Sequence, residues 1–262
     1  MKKLKLNISS LINCVVFFAL LITLPVVTAL LPKKERSEME NKPLQKMPSI
    51  SAKTVFNRKY MNDLETYISD HFVGRTSWIK SKTVLETSLG KRERNGIYIL
   101  KNRLVEHIAE PDYDSIDKSV NAVNKFASEN DVPLFFMIVP TSAEIYADEL
   151  SKNAPNPNQR DVINYVYRSF GKGITTLDVY PVMESNKYQY IYYRTDHHWT
   201  TRGAYLAYAA AGKKMGYTPL PEDKYDIEHA SDEFQGTFYS KALYDKVEKD
   251  TLDIWQDRKS VV

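Results

Sequence analysis

An uncharged apolar run from about Ile8 to Leu31 constrains this chain more than any other feature. Lys2, Lys3 and Lys5 precede it, and Lys33-Lys34 closes it. About 20 apolar residues suffice to cross a bilayer as a helix, which satisfies its own backbone hydrogen bonds in hydrocarbon. Basic flanks and the terminal position favour a membrane segment over a buried core helix. Val27-Thr28-Ala29 also has the small-residue pattern of a signal-peptidase site. Residues 1–34 therefore read as a signal peptide or membrane anchor. The remainder is expected on the extracytoplasmic face of the cell membrane, or secreted if the leader is removed.

The single cysteine, Cys14, lies inside that run. It follows Leu11-Ile12-Asn13, which is not a lipoprotein box, so the folded part offers neither a disulfide nor a thiol nucleophile. A net charge of +3, with no basic stripe interleaved with aromatics, argues against nucleic acid as a partner. The 18 tyrosines suit a surface that touches sugars. Within 262 residues there is room for one sizeable α/β domain and a small appendage.

Residues 35–58, polar and carrying Pro43 and Pro48, read as a linker or extended arm, and residues 59–262 as the domain. Tyr60, Leu64, Tyr67, Ile68, Phe72, Trp78, Ile79, Val84 and Leu85 fall at helical spacing. Asn95-Gly96 marks a turn, and the alternation from Ile97 to Leu104 predicts short strands. Ile116, Val120, Val123 and Phe126 share one face of a helix over residues 115–130, which leads into a continuously apolar run, 133–139. Such a run after a helix predicts a buried parallel strand. The unit repeats as a helix over 161–170 and a strand over 174–179, with a further extended segment over 188–193. Thr200 or Thr201 is placed to cap a helix over 203–215 that ends at Gly216. This alternation predicts a doubly wound, mostly parallel sheet, with functional loops at the carboxyl ends of strands. The charge mixture over 241–257 reads as a solvated helix face.

Two loops fall at expected strand ends: Pro140-Thr141-Ser142 and Tyr193-Arg194-Thr195-Asp196-His197-His198-Trp199-Thr200. A serine nucleophile needs a base to take its proton, and that base needs a carboxylate to fix its tautomer. An Asp two residues before a His on a turn can bond the near ring nitrogen and leave the far one free. Asp196 and His198 are thus the candidate catalytic residues. Trp199 is placed to pack beneath the turn. The same string also reads as a helix-capping Asp beside two partly exposed histidines. Arg75, Asn95, Arg194 and Thr141 read equally as pocket-lining or as surface and capping positions. A metal phosphoesterase would require more carboxylates than the strand ending at Val139 offers. With 9 glycines and no Gly-x-Gly-x-x-Gly, no dinucleotide cofactor is expected, and no metal is either.

Several segments, in order, resemble the DHHW family of Gram-positive bacterial proteins, which is related to the alginate O-acetyltransferase branch of SGNH-type hydrolases. They are residues 36–44, 67–75 and 90–98, Val139-Pro140-Thr-Ser-Ala-Glu-Ile-Tyr146, the naming motif itself, and Phe234-Gln-Gly236-Thr237-Phe-Tyr239-Ser240-Lys241. The resemblance implies an SGNH-hydrolase-like α/β fold, with Asp196 and His198 as two members of a Ser-His-Asp site. It gives His197, Trp199, Thr141 and Arg194 at most supporting roles.

In the family the nucleophile is a serine in a Lys-Asp-Ser-Tyr-Ala-Asn-type segment well downstream of Asp-His-His-Trp. No such segment stands between Trp199 and Val262, and Ser240 is the nearest substitute. The expectation is a domain shortened at its C-terminus and inactive or very weak alone. The implied function is acetyl ester transfer or hydrolysis on a cell-surface polysaccharide, with a multi-pass membrane O-acyltransferase supplying the acyl group. The alternative is a non-catalytic, membrane-tethered accessory or carbohydrate-binding protein.

Overall fold

A computed structural model of the chain describes residues 8–257. Lys2, Lys3 and Lys5, and the residues after Asp257 through Val262, lie outside that range. The chain divides into two compact units, one ending at Glu86 and the other beginning at Thr87.

In the first unit, α1 (Ile8–Leu30) is the single helix among the described residues long and apolar enough to cross a membrane, with a mean hydropathy of 2.5. Within the segment read as an arm, β1 (Arg36–Ser37) and β2 (Lys42–Pro43) form a small antiparallel hairpin. Asn41 turns it at φ 46°, a conformation that Asn tolerates better than most residues. Then come α2 (Ala52–Phe56), begun by a Ser51/Thr54 capping box, α3 (Lys59–Asp70) and α4 (Arg75–Ser88).

Asp70, buried at the end of α3, joins the hairpin to the helices. Its carboxylate accepts from Lys42 Nζ at 2.9 Å and from the Gln45 N–H at 2.9 Å. Arg75 lies 3.8 Å from the same carboxylate and pairs with Glu40. Burial opposes the charge on Asp70, but the Gln45 N–H and Lys42 outweigh it and hold the carboxyl below the usual range. Ile68, Trp78 and Leu85 sit on α3 and α4 as their spacing predicts, yet all three are more than half exposed.

The second unit starts with β3 (Glu93–Arg94), β4 (Ile97–Ile99) and β5 (Leu104–Glu106), an antiparallel meander. Asn95 and Gly96, at φ 49° and 74°, make the tight turn that a two-residue hairpin requires. Helix α5 (Tyr113–Glu129) leads to β6 (Leu134–Ile138), then the short α6 (Ser142–Ile145), α7 (Gln159–Ser169), β7 (Ile174–Asp178) and α8 (Tyr180–Ser185). After the Asp-His-His-Trp segment come α9 (Thr201–Met215), β8 (Tyr225–Phe234), α10 (Thr237–Ala242) and β9 (Asp250–Asp257).

The architecture is mixed α/β. Among the described residues, parallel pairing is confined to β6 and β7, in register from Leu134↔Ile174 to Ile138↔Asp178. The other ladders are antiparallel. The stretch 188–193, read as extended, forms only an isolated bridge, Tyr192↔Trp199, because Tyr190 takes φ 54° and interrupts it. The stretch 241–257 is not a solvated helix face. It is the tail of α10, a turn and then β9, which pairs antiparallel with β8. Asp250 begins β9 fully buried, so the charge pattern concealed an interior carboxylate.

Candidate functional site

The Asp-His-His-Trp segment is a hairpin turn closed at its neck by backbone bonds. The Tyr193 N–H donates to His198 O at 3.2 Å and the Thr200 N–H to Ile191 O at 2.9 Å. Below it, Trp199 packs on a core cluster of Ile145, Tyr146, Met183, Ile191 and Tyr192. Thr200 caps α9: its hydroxyl accepts from the Gly203 N–H at 3.2 Å and donates to Tyr190 O at 2.7 Å. Gly203 is required there, because a Cβ would lie 2.3 Å from Ile191 O. The turn is thus clamped between a packed aromatic floor and a capped helix.

On this turn Asp196 is 3% exposed while the His198 side chain is 64% exposed. Asp196 Oδ1 accepts from the His198 N–H at 3.0 Å and from His198 Nδ1 at 2.6 Å. Asp196 Oδ2 accepts from the Thr237 N–H at 2.7 Å and the Thr237 hydroxyl at 3.0 Å. Each carboxylate oxygen thus accepts two hydrogen bonds, and His197 Nδ1 lies a further 3.3 Å from Oδ1. Burial opposes its ionisation, but the bonds from Thr237 and His198 prevail and hold the carboxyl below the usual range. A carboxylate kept ionised and bonded to Nδ1 leaves Nε2 as the open nitrogen, the geometry of a general base. The hydrogen bonds of His198 to other described residues all go to Asp196 or pass through its backbone carbonyl in the neck.

His197 stacks on His198 with centroids 3.7 Å apart. Its Nδ1 lies 2.9 Å from the Thr237 hydroxyl, which in turn donates to Asp196. The ligand atoms of Asp196, His197 and His198 lie within 4.8 Å of one another, so among the described residues these three are placed to share a cation. A zinc ion needs contacts of about 2.0–2.2 Å to each donor. Taking them through the near nitrogens would replace the Asp196–His198 bond at 2.6 Å.

The other candidate residues have partners of their own. Thr141 is engaged by Gln159, whose Oε1 accepts from its N–H at 3.1 Å and whose Nε2 donates to its hydroxyl at 2.7 Å. Arg194 lays its guanidinium over the Tyr190 ring at 4.5 Å and pairs with Glu248 at 3.3 Å. Ser240 is on α10, and its N–H bonds to Gly236 O at 3.1 Å. Asn95 donates to Lys241 O at 2.8 Å, and Arg75 belongs to the first unit.

Gly236 and Thr237 escaped sequence reasoning, although their segment carried part of the resemblance. Thr237 supplies half the donors to Asp196. Gly236 makes the approach feasible, since a Cβ there would lie 2.3 Å from both Asp196 Cβ and Oδ2. A Gly-Thr pair some 40 residues downstream carries no local signal of that contact.

The chain is similar to several known proteins. Residues 97–256, more than half of the chain, match the family model described as DHHW protein. The chain is 25% identical over 168 residues to a probable alginate O-acetylase, AlgJ, of Pseudomonas syringae pv. tomato. That match covers 59% of this chain and 42% of the relative, less than half of its length. Among solved structures, a DHHW family protein from Eubacterium siraeum superposes with a TM-score of 0.54 at 26% identity, covering 62% of this chain and 55% of that one. PatB1 of Bacillus cereus, solved with a sulfonyl adduct, gives 0.53 at 17% identity, covering 62% and 57%, a likeness of fold.

Proposed function

We propose that this chain, which belongs to the DHHW protein family, supplies the base and orienting carboxylate of a serine-dependent site for acetyl transfer or ester hydrolysis on a cell-surface polysaccharide. The observation that carries the reading is the bond from His198 Nδ1 to buried Asp196 at 2.6 Å, with the far side of the ring in solvent. In such a site Nε2 takes the proton of a serine hydroxyl as its oxygen attacks the ester carbonyl, then returns it to the leaving alkoxide. The ionised Asp196 stabilises the imidazolium between the two transfers. His197 and Trp199 support the turn. Similarity to a probable alginate O-acetylase supports acetyl as the acyl group and a polysaccharide as its carrier. The proposal includes an SGNH-hydrolase-like sheet, a site outside the cytoplasm tethered by α1, and a multi-pass membrane O-acyltransferase as acyl supplier.

One observation favours a second reading. Among the described residues, no serine hydroxyl bonds to His198, Ser240 included. The chain alone is therefore expected to turn over acetyl esters no faster than its His198→Ala variant, and an accessory, carbohydrate-binding role is the alternative.

Fluorophosphonate trapping in native membranes tests the choice, because any partner is retained there. Labelling of one serine, on this chain or on a protein bound to it, is expected and should vanish in His198→Ala. Folded chain with no His198-dependent labelling anywhere would overturn the catalytic reading and leave the accessory one.

A further inference from the structure

We propose that Asp250 is a positioning residue for the Asp196–His198 pair, acting through Thr195. The inference deepens the function proposed above and rests on that reading for its catalytic meaning, though not for its geometry.

Asp250 is fully buried and its carboxylate is surrounded by donors. Oδ1 accepts from the Tyr190 hydroxyl at 2.7 Å and the Arg194 N–H at 2.7 Å. Oδ2 accepts from the Thr195 N–H at 2.8 Å and the Thr195 hydroxyl at 2.5 Å. The Arg194 guanidinium lies 4.0 Å away. The two backbone donors belong to the residues immediately before Asp196, so this carboxylate grips the rising limb of the turn.

The hydroxyls have their directions set from the other side. The Gly236 N–H donates to Thr195 Oγ1 at 3.0 Å, and the Thr251 N–H donates to the Tyr190 hydroxyl at 3.1 Å. Each hydroxyl thus accepts from one backbone N–H and passes its own proton to Asp250. The first relay ends at Gly236, the residue pressed against the Asp196 side chain, and the Tyr239 N–H bonds to Thr195 O at 3.0 Å beside it. Asp250 fixes Thr195, Thr195 holds Gly236 and α10, and these present Thr237 to Asp196.

This environment demands an acceptor on both oxygens. A hydroxyl can turn, but the N–H groups of Arg194 and Thr195 cannot, and they address different oxygens. Asparagine, in either orientation, would set its amide donors against one of them. Asp250→Asn is therefore not a neutral replacement, and milder variants isolate the relay. Thr195→Val removes the hydroxyl and keeps the shape, Thr195→Ser restores the hydroxyl, and Tyr190→Phe removes one donor.

The test is the His198 Nδ1–H proton, observed by NMR in the full chain in detergent with labelled histidine and assigned by its loss in His198→Ala. We expect Thr195→Val and Asp250→Asn to shift this resonance and speed its solvent exchange about tenfold. Tyr190→Phe should do so to a smaller degree, and Thr195→Ser should restore the wild-type signal. Val166→Ala, on the buried face of α7, is the control for stability loss alone and should leave the signal in place. An unchanged signal in Thr195→Val, or an equal change in Val166→Ala, overturns the proposal. An intact, Asp250-dependent signal combined with absent His198-dependent fluorophosphonate labelling would instead overturn the acyl-transfer reading and leave the positioning role standing.

Discussion

Gly236→Ala probes the site through a contact rather than through a catalytic group. Gly236 has φ −91° and ψ −159°, an extended backbone that alanine adopts without strain. The added Cβ, however, would stand 2.3 Å from Asp196 Cβ and Oδ2 and 2.6 Å from Cγ, where ordinary contact begins at 3.4 Å. Something must move by about 1 Å. A displacement of that size breaks the bonds from Thr237 to Oδ2, now 2.7 and 3.0 Å long. Overpacking costs roughly 1–3 kcal/mol, and each hydrogen bond to a charged group contributes roughly 1.5–3 kcal/mol. Partial relaxation places the net cost for local opening of the turn at about 3–5 kcal/mol, which is a hundredfold or more in exchange rate. Hydrogen exchange at the Tyr239 amide, bonded to Thr195 O, reads that opening. In an Asp196→Gly background the clash has no partner, so the same substitution should cost about 1 kcal/mol or less. Exchange in Gly236→Ala within threefold of wild type, or an undiminished effect in the Asp196→Gly background, would refute the steric argument.

Asp196→Asn places an amide against either Thr237 or His198 donors, and should lower His198-dependent fluorophosphonate labelling by about 10³–10⁴-fold; retained labelling would count against the pair. The depressed carboxyl of Asp70 adds stability above the unfolded value, near pH 3.9, and that stability is lost as pH falls through the lower folded value. Acid unfolding of the first unit should therefore lose part of its pH dependence below about pH 4 in Asp70→Asn, followed by circular dichroism; an identical acid limb would contradict this. On the β8–β9 ribbon, the bond from His229 to Asp253 at 2.6 Å raises the imidazole above its ordinary value. Any stability it adds is complete below the unfolded value, near 6.5, and fades as pH rises through the folded one. An NMR titration should show His229 returning to an ordinary midpoint in Asp253→Asn; no change would remove the pairing.

What the sequence disclosed was short-range. Asp196 and His198 are two residues apart, Thr200 directly precedes the helix it caps, and Gly216 ends that helix at φ 80°. Each is a local rule of backbone geometry, as are the Asn95-Gly96 turn and the parallel strands flanking α7. The missed contacts are long-range. Nothing local links Thr237 to Asp196, or distinguishes Asp250 from the charged residues around it. Lys246, Glu248, Lys249, Asp250 and Asp253 together mimic a solvated helix face, and only tertiary structure shows that one of them is interior. Helical spacing placed Ile68, Trp78 and Leu85 on helices but could not tell which of their faces is covered.

The β8–β9 ribbon also sets an order of events during synthesis. Asp196 and its histidine leave the ribosome 41 residues before Thr237 and about 55 before Asp250. Until both arrive, the turn has its neck and its Trp199 floor, but its buried carboxylate lacks half its donors and Thr195 lacks its anchor. The pair is complete only when the ribbon closes. Long-range antiparallel pairing is among the slower steps in folding, because loop closure must precede the contacts that reward it. The site therefore matures only after its donors on α10 and β9 have emerged, and an emerging chain of some 230 residues would carry the whole signature motif without its geometry.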